Sequence, residues 1–192
     1  MNRPELLEAI TRACQIVEQK RVIVVGSQAI LASFEFDQLP REATASAEAD
    51  IAPEHDIDDH LSNRLWMLAG QDSDWANERD YYVDAVSGNT AVLPDRWRER
   101  AIEVRVPGTS GFVGICPEVH DLCASKMARN EPKDQDFVSA LAMASLIDPR
   151  LVRNRLDETS DPRLEPARKR FAMQFIKTLE STQRNRAERR QK

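Results

Sequence analysis

The sequence of 192 residues lacks several features that would assign it to a specialised class of protein. No apolar run approaches the roughly 20 residues that a membrane-spanning helix needs. No apolar segment follows a basic start, so we expect neither a membrane anchor nor a signal peptide. The three cysteines, Cys14, Cys116 and Cys123, are odd in number and lack metal-site spacing, and the three histidines are scattered. We therefore expect reduced, mostly core cysteines and a cytoplasmic protein.

Basic residues are absent from one acidic segment and concentrated at the end of the chain. Residues 42–59 carry seven acids and no Lys or Arg, whereas residues 184–192 carry four Arg and one Lys against a single acid. An acidic segment suits metal ions, and a basic one suits RNA phosphates. A frayed, solvated helix end also explains the basic segment and is slightly preferred over RNA binding, because such ends are common. The net charge of −5 argues against a protein that coats nucleic acid without specificity.

Hydrophobic periodicity divides the chain into a mixed part and a helical part. A helix is predicted over residues 5–20 and another over 28–34, and strands over 22–25, 44–52, 81–86 and 101–106, with a hairpin extension at 90–93 and a loop from Pro107. From Pro117 onward every segment has helical character. The sequence predicts an α/β (α+β) fold, with a mixed core over residues 1–115 and a helical region over 116–192.

Three acids and a Gly-Ser turn are the first candidates for chemistry. Gly26-Ser27 follows four strand-forming residues, and the backbone N–H groups of such a turn can hold phosphate oxygens. Glu48 and Asp50 lie two residues apart in a strand and so share a face, where they can bind a divalent cation. Asp84 adds a third carboxylate in an otherwise uncharged strand. A capped turn and an alternating surface strand explain each feature alone, but the combination favours a metal and phosphate site.

Two cations in the first helix of the helical region are the second candidate. Lys126 falls within the apolar stripe of its helix, and Arg129 follows one turn later. Cations aimed inward can neutralise a triphosphate, whereas a Lys side chain that extends along the helix edge to solvent is the alternative. Asp134 and Asp136 open the next helix, where acids complement the helix dipole or form ion pairs with these cations.

These motifs together resemble the nucleotidyltransferase superfamily. Gly26-Ser27, then Glu48-Ala49-Asp50, then Asp84 resembles its fingerprint, and the segment from Asp121 to Asp136 is similar to the helical part of AbiEii and MenT-like toxin-type nucleotidyltransferases. The resemblance implies a nucleotidyltransferase core with a mixed sheet and flanking helices, followed by a C-terminal helical bundle. It implies Mg²⁺ or Mn²⁺, a nucleoside triphosphate, an RNA acceptor such as the tRNA 3′ end, and a cognate antitoxin as partner.

On this resemblance each candidate residue receives a role. Gly26 and Ser27 hold the triphosphate, and Lys126, assisted by Arg129, neutralises it. The metal ligands are Glu48, Asp50 and Asp84. Asp50, Asp84 and Lys126 form the catalytic set, with Asp84 either completing the metal site or accepting the proton of the incoming hydroxyl.

Two departures from the family pattern leave alternatives open. Glu48 stands where Asp is commoner, and residues 28–36 contain no Lys or Arg, although a base usually follows the Gly-Ser pair. One alternative is a non-catalytic relative that serves as a binding partner. The other is an enzyme that nucleotidylates a protein or a small molecule.

Overall fold

A computed structural model describes residues 1–190, apart from the side chains of Ala187 and Arg190. Gln191 and Lys192, the end of the basic segment, lie outside the described residues. The chain divides into two units. The sheet unit comprises Met1–Ala91 and Arg100–Glu118, and the helical unit comprises Val92–Glu99 and Val119–Lys192.

The elements follow one another along the chain in a mixed order that becomes all-helical after residue 118. They are α1 (Arg3–Val17), β1 (Arg21–Val25), 3-10 helices at Ser27–Ala32 and Phe36–Gln38, α2 (Arg41–Thr44), β2 (Glu48–Pro53), α3 (His60–Ala69), α4 (Asp74–Asn77), β3 (Tyr82–Ala85), α5 (Trp97–Arg100), β4 (Ile102–Arg105), β5 (Val113–Cys116), α6 (Val119–Arg129), α7 (Pro132–Met143), α8 (Pro149–Asp157) and α9 (Pro166–Arg190).

The sheet unit is built on five strands in the order β3-β2-β1-β5-β4. β1 pairs antiparallel with β2 and parallel with β5, while β2 pairs parallel with β3 and β4 pairs antiparallel with β5. The mixed sheet with flanking helices and the following helices confirm the predicted fold class.

Helix α1 covers the central strands with its apolar stripe. Asn2 and Glu5 form a capping box that fixes its start, and Leu6, Ala9, Ile10 and Ala13 are fully buried at helical spacing. A Cβ atom on Gly114 of β5 would lie 2.6 Å from the Cδ1 atom of Ile10. The absence of a side chain at Gly114 therefore allows the helix to pack closely on the sheet.

The helical unit consists of helices with well-defined starts. Proline opens α7, α8 and α9 at or near their first positions, where its fixed φ suits a helix and its missing N–H costs nothing. The Asp148 side chain accepts a hydrogen bond from the Arg150 backbone N–H at the start of α8. Phe137, Leu141, Val152 and Ile176 are buried in this unit.

The structure corrects four of the predicted elements. The strand expected over residues 44–52 begins only at Glu48, and Arg41–Thr44 form the short helix α2. The helix expected over residues 28–34 is a 3-10 helix at Ser27–Ala32, and residues 90–93 form no strand. The loop from Pro107 gives way to β5, which the sequence did not predict and which is a buried interior strand of the sheet.

The three cysteines lie in the core, as the composition predicted. All three cysteines are buried and none of them forms a disulfide, and burial raises the pKa of Cys14 to about 11 and that of Cys116 to about 12. Among the described helices, none combines the length and the apolar character that a bilayer span demands.

Candidate active site

The Gly-Ser turn meets the acidic strand directly at Gly26. This residue follows β1 with φ 68° and ψ −164°, a conformation essentially restricted to glycine. A Cβ atom at this position would lie 2.5 Å from the Cγ atom of Asp50 and closer still to its Oδ2 atom. Glycine is therefore required both by the backbone and by the neighbouring carboxylate, which lies directly against the turn.

Strand register brings the three predicted carboxylates together. Asp50 lies opposite Val25 on β1, one residue before Gly26, and opposite Asp84 on β3. Glu48 lies two residues before Asp50 on the same face of β2. Gly26, Glu48, Asp50 and Asp84 therefore form one cluster in the sheet unit, and Ser27 begins the 3-10 helix next to it.

Tyr82 is a member of this cluster that the sequence analysis did not single out. Its hydroxyl group donates a hydrogen bond of 3.1 Å to Glu48 Oε2, and the two residues are register partners on β2 and β3. The signal was present in the sequence, because Tyr82 precedes Asp84 by two residues in one strand and so shares its face.

The charges of the cluster act on one another. Burial, together with the charge of Glu48, raises the pKa of Asp84 above its ordinary value. Burial also raises the pKa of Tyr82, with further contributions from its hydrogen bond to Glu48 and from the charges of Glu48, Asp84 and Asp50. The cluster is thus a region of negative potential in which a cation would relieve repulsion.

The chemistry of these donors suits Mg²⁺ or Mn²⁺. Both are hard cations that prefer carboxylate oxygens, and Mg²⁺ is commonly held by one or two carboxylates together with substrate phosphates. Within the described part of the chain, no three His, Cys, Asp or Glu side chains are already grouped closely enough to hold a metal on their own. The residues fit a site that the phosphates of a bound nucleotide would help to complete.

The burial of Gln28 explains why the first residue after the Gly-Ser pair is not a base. It is fully buried, and its Nε2 atom donates a hydrogen bond of 2.7 Å to the Ser46 carbonyl just before β2. A Lys or Arg at this position would have to bury its charge. The side chain instead links the Gly-Ser turn to the start of the strand that carries Glu48 and Asp50.

The second predicted set lies in the helical unit around Asp134. Arg129 donates two hydrogen bonds to the Asp134 carboxylate, of 2.8 Å from Nε and 2.6 Å from Nη2. Lys126 Nζ lies 3.7 Å from Asp134 Oδ1 and 4.5 Å from the centre of the Phe137 ring. Lys126 is buried, so its side chain does not extend along the helix edge to solvent.

Asp134 combines both structural roles foreseen for it. Its backbone lies in the first turn of α7, where its side chain accepts a hydrogen bond from the Glu131 N–H. Burial acts to raise its pKa, but the hydrogen bonds from Arg129 and the charges of Lys126 and Arg129 outweigh this effect and lower it. Asp134 therefore pairs with both predicted cations at once.

Comparison with known proteins gives one match. A family model described as a nucleotidyltransferase of unknown function (DUF6036) matches residues 4–186. No curated protein and no solved structure matches the chain significantly. The matched range contains every residue of the carboxylate cluster and of the Asp134 cluster.

Proposed function

The chain belongs to the DUF6036 family of nucleotidyltransferases, and from this premise we propose that it transfers a nucleoside monophosphate from a nucleoside triphosphate to an acceptor hydroxyl group in a metal-dependent reaction. The observation that carries the proposal is the convergence of Glu48, Asp50 and Asp84 beside the glycine of the Gly-Ser turn. Three carboxylates at adjoining strand positions repel one another and so do not stabilise the fold. Their presence there favours a functional role.

The proposed roles follow from position. Backbone N–H groups of the Gly26-Ser27 turn bind phosphate oxygens, and Glu48 and Asp50 hold Mg²⁺ or Mn²⁺, which when bound supplies charge neutralisation at the phosphates. The acceptor oxygen forms a bond to the α-phosphorus, the bond from the α-phosphorus to the bridging oxygen breaks, and pyrophosphate leaves. Asp84 either adds a metal ligand or accepts the proton of the acceptor hydroxyl.

The roles of Lys126 and Arg129 toward the triphosphate stay predictions. Their cluster with Asp134 supports a preorganised positive charge, because Asp134 orients both side chains. Replacement of Lys126 by Ala tests this role through the affinity for a nucleoside triphosphate.

The finer assignment rests on the resemblance of the motifs to toxin-type nucleotidyltransferases. It makes the tRNA 3′ end the first acceptor to test, and a toxin–antitoxin or defence pair, with a cognate antitoxin as partner, the first biological setting.

The decisive experiment compares the full chain with an Asp50→Asn variant. Each is incubated with labelled nucleoside triphosphates, Mg²⁺ and total RNA, and label is followed in RNA, protein and small molecules. We expect transfer by the unmodified chain that depends on metal, and loss of transfer in the variant without loss of fold, since removal of one charge relieves repulsion.

Asp58→Asn is the matched control. Asp58 is an exposed acid of the same segment with φ 54°, a conformation that Asn tolerates. It should retain full transfer. Full transfer by Asp50→Asn would refute the metal site, and the absence of transfer to any acceptor by the unmodified chain would favour a binding-only relative.

A further inference from the structure

Charge is divided unequally between the two units of the chain. The sheet unit carries 9 Lys and Arg against 19 Asp and Glu, a net charge of −10, whereas the helical unit carries 18 against 13, a net charge of +5. The overall charge of −5 therefore conceals a basic unit. Electrostatic attraction of a polyanion depends on local and not on total charge. The helical unit is therefore the part of the chain that is suited to bind a polyanion.

A cavity of about 570 Å³ lies within the helical unit, where the turn between α7 and α8 faces α9. Three guanidinium groups line it, those of Arg150, Arg184 and Arg186, together with the carboxylates of Asp148 and Glu180. Its volume is in the range of ligand sites. Charged side chains and the apolar side chains of Met143 and Ile147 both line it, which suits a charged ligand better than a purely apolar one.

The wall of this cavity is fixed by hydrogen bonds to the backbone. Gln183 Nε2 donates to the Ala142 carbonyl at 2.6 Å and to the Ile147 carbonyl at 3.2 Å. These bonds connect α9 to the last turn of α7 and to the residue before the α8 cap. The arginines one and three residues beyond Gln183 are thereby held at the cavity.

The two acids in the lining are already engaged with other cations. Asp148 accepts hydrogen bonds from the backbone and the guanidinium group of Arg150, and Glu180 lies 3.6 Å from Arg153.

Among the residues that the structure describes, Arg184 and Arg186 form no ion pair, and Arg186 contacts only the Met143 sulfur through a hydrogen bond of 2.9 Å. The cavity is thus lined by two arginines that form no ion pair with another described residue.

We propose that this cavity binds the phosphodiester backbone of the RNA acceptor, with Arg184 and Arg186 as its phosphate-binding residues. The inference rests on the proposed function, which requires an acceptor, and adds where on this chain an RNA acceptor is held. Guanidinium groups donate paired hydrogen bonds to phosphate oxygens. Both arginines line the same cavity, and a positively charged groove can follow the backbone of a single strand.

The test measures binding and not transfer. The full chain is titrated into a fluorescein-labelled single-stranded oligoribonucleotide over a range of salt concentrations, and anisotropy gives the affinity. The double variant Arg184→Gln/Arg186→Gln should bind roughly tenfold more weakly, and the slope of log affinity against log salt should fall by about 1.4, because each single-strand phosphate contact contributes about 0.7.

The double variant Arg168→Gln/Arg170→Gln is the matched control. Both residues are exposed on the first turns of the same helix and do not line the cavity, so the control removes the same charge from the same unit. It should keep nearly the full affinity and salt slope. Melting temperatures of both variants should stay close to that of the unmodified chain, since all four side chains are exposed.

The outcomes separate this inference from the proposed function. Equal loss of RNA affinity in both double variants, or no loss in either, would overturn the cavity as the RNA site. Binding of polyglutamate in preference to RNA would overturn it as well and would indicate an acidic protein partner. The Asp50→Asn variant should bind RNA normally. RNA binding at the cavity without metal-dependent transfer would refute the proposed function and leave the site in place.

Discussion

Replacement of Gly26 by Ala should disable the candidate active site more severely than its single added methyl group suggests. The new Cβ atom would lie 2.5 Å from the Asp50 Cγ atom and closer to Oδ2, far inside van der Waals contact. The carboxylate would have to rotate away from the turn, or the turn away from β2. Either movement displaces a proposed metal ligand relative to the proposed phosphate-binding backbone.

The expected magnitudes come from the backbone and from the displacement. Residues other than glycine in this region of φ and ψ cost about 1–3 kcal/mol each. For a chain of this size that corresponds to a fall in melting temperature of roughly 2–12 °C, at about 2–4 °C per kcal/mol. A displacement of about 1 Å at a reacting centre lowers the rate roughly 100-fold. We therefore expect at least that loss of transfer from a protein that still folds.

Gly108→Ala isolates the backbone contribution. Gly108 has φ 74°, and a Cβ atom there would meet nothing within 4 Å. Thermal denaturation of the two variants should give losses of similar order, with the larger one for Gly26→Ala, while only Gly26→Ala should lose transfer. A Gly26→Ala protein with the transfer rate of the unmodified chain would refute the proximity of the turn to Asp50 as a functional feature.

Three further changes test the clusters. Tyr82→Phe removes the hydroxyl group that orients Glu48. Calorimetry should show Mn²⁺ binding that is weaker by a few-fold, in line with about 0.5–1.5 kcal/mol per hydrogen bond, and an unchanged affinity would contradict the orienting role. Asp84→Asn should raise the melting temperature of the metal-free protein at neutral pH. The folded pKa of Asp84 is raised, so the unmodified chain loses stability as the pH rises through that pKa. A lower melting temperature for the variant would contradict the raised pKa. Asp134→Asn leaves Lys126 buried beside a neutral side chain and should lower the free energy of unfolding, measured with urea at pH 7, by about 3–5 kcal/mol. At this pH the lowered pKa of Asp134 keeps its carboxylate charged in the unmodified chain. A loss below about 1 kcal/mol would contradict a stabilising ion pair.

Much of the carboxylate cluster could be predicted because strand periodicity alone places residues on faces. Glu48 and Asp50 share a face in any regular strand, and the structure confirms that strand. The pairing of Asp50 with Asp84 could not be predicted, because it depends on the parallel register of two strands far apart in the sequence. The approach of Gly26 to Asp50 likewise depends on the antiparallel register of β1 and β2.

The strand that the sequence did not predict is short and contains a glycine. β5 has four residues, and Gly114 within it weakens the strand signal that Val113 and Ile115 give. The packing of Ile10 of α1 and Val24 of β1 against this position explains why glycine is needed there. The 3-10 helix after Gly26 has a similar origin, since Gln28 is drawn into the core by its bond to Ser46, a tertiary contact that no local pattern contains.

The division of the chain into units has a consequence for synthesis and for fragmentation. Residues 92–99 belong to the helical unit but precede β4 and β5, which belong to the sheet unit. The ribosome therefore synthesises this segment before any of α6 to α9. Asp95 is hydrogen-bonded to Ser160, which is added about sixty-five residues later, so this contact forms only after that synthesis. No single break in the gene yields both units whole, because a division after Glu118 leaves residues 92–99 on the fragment that carries the sheet unit.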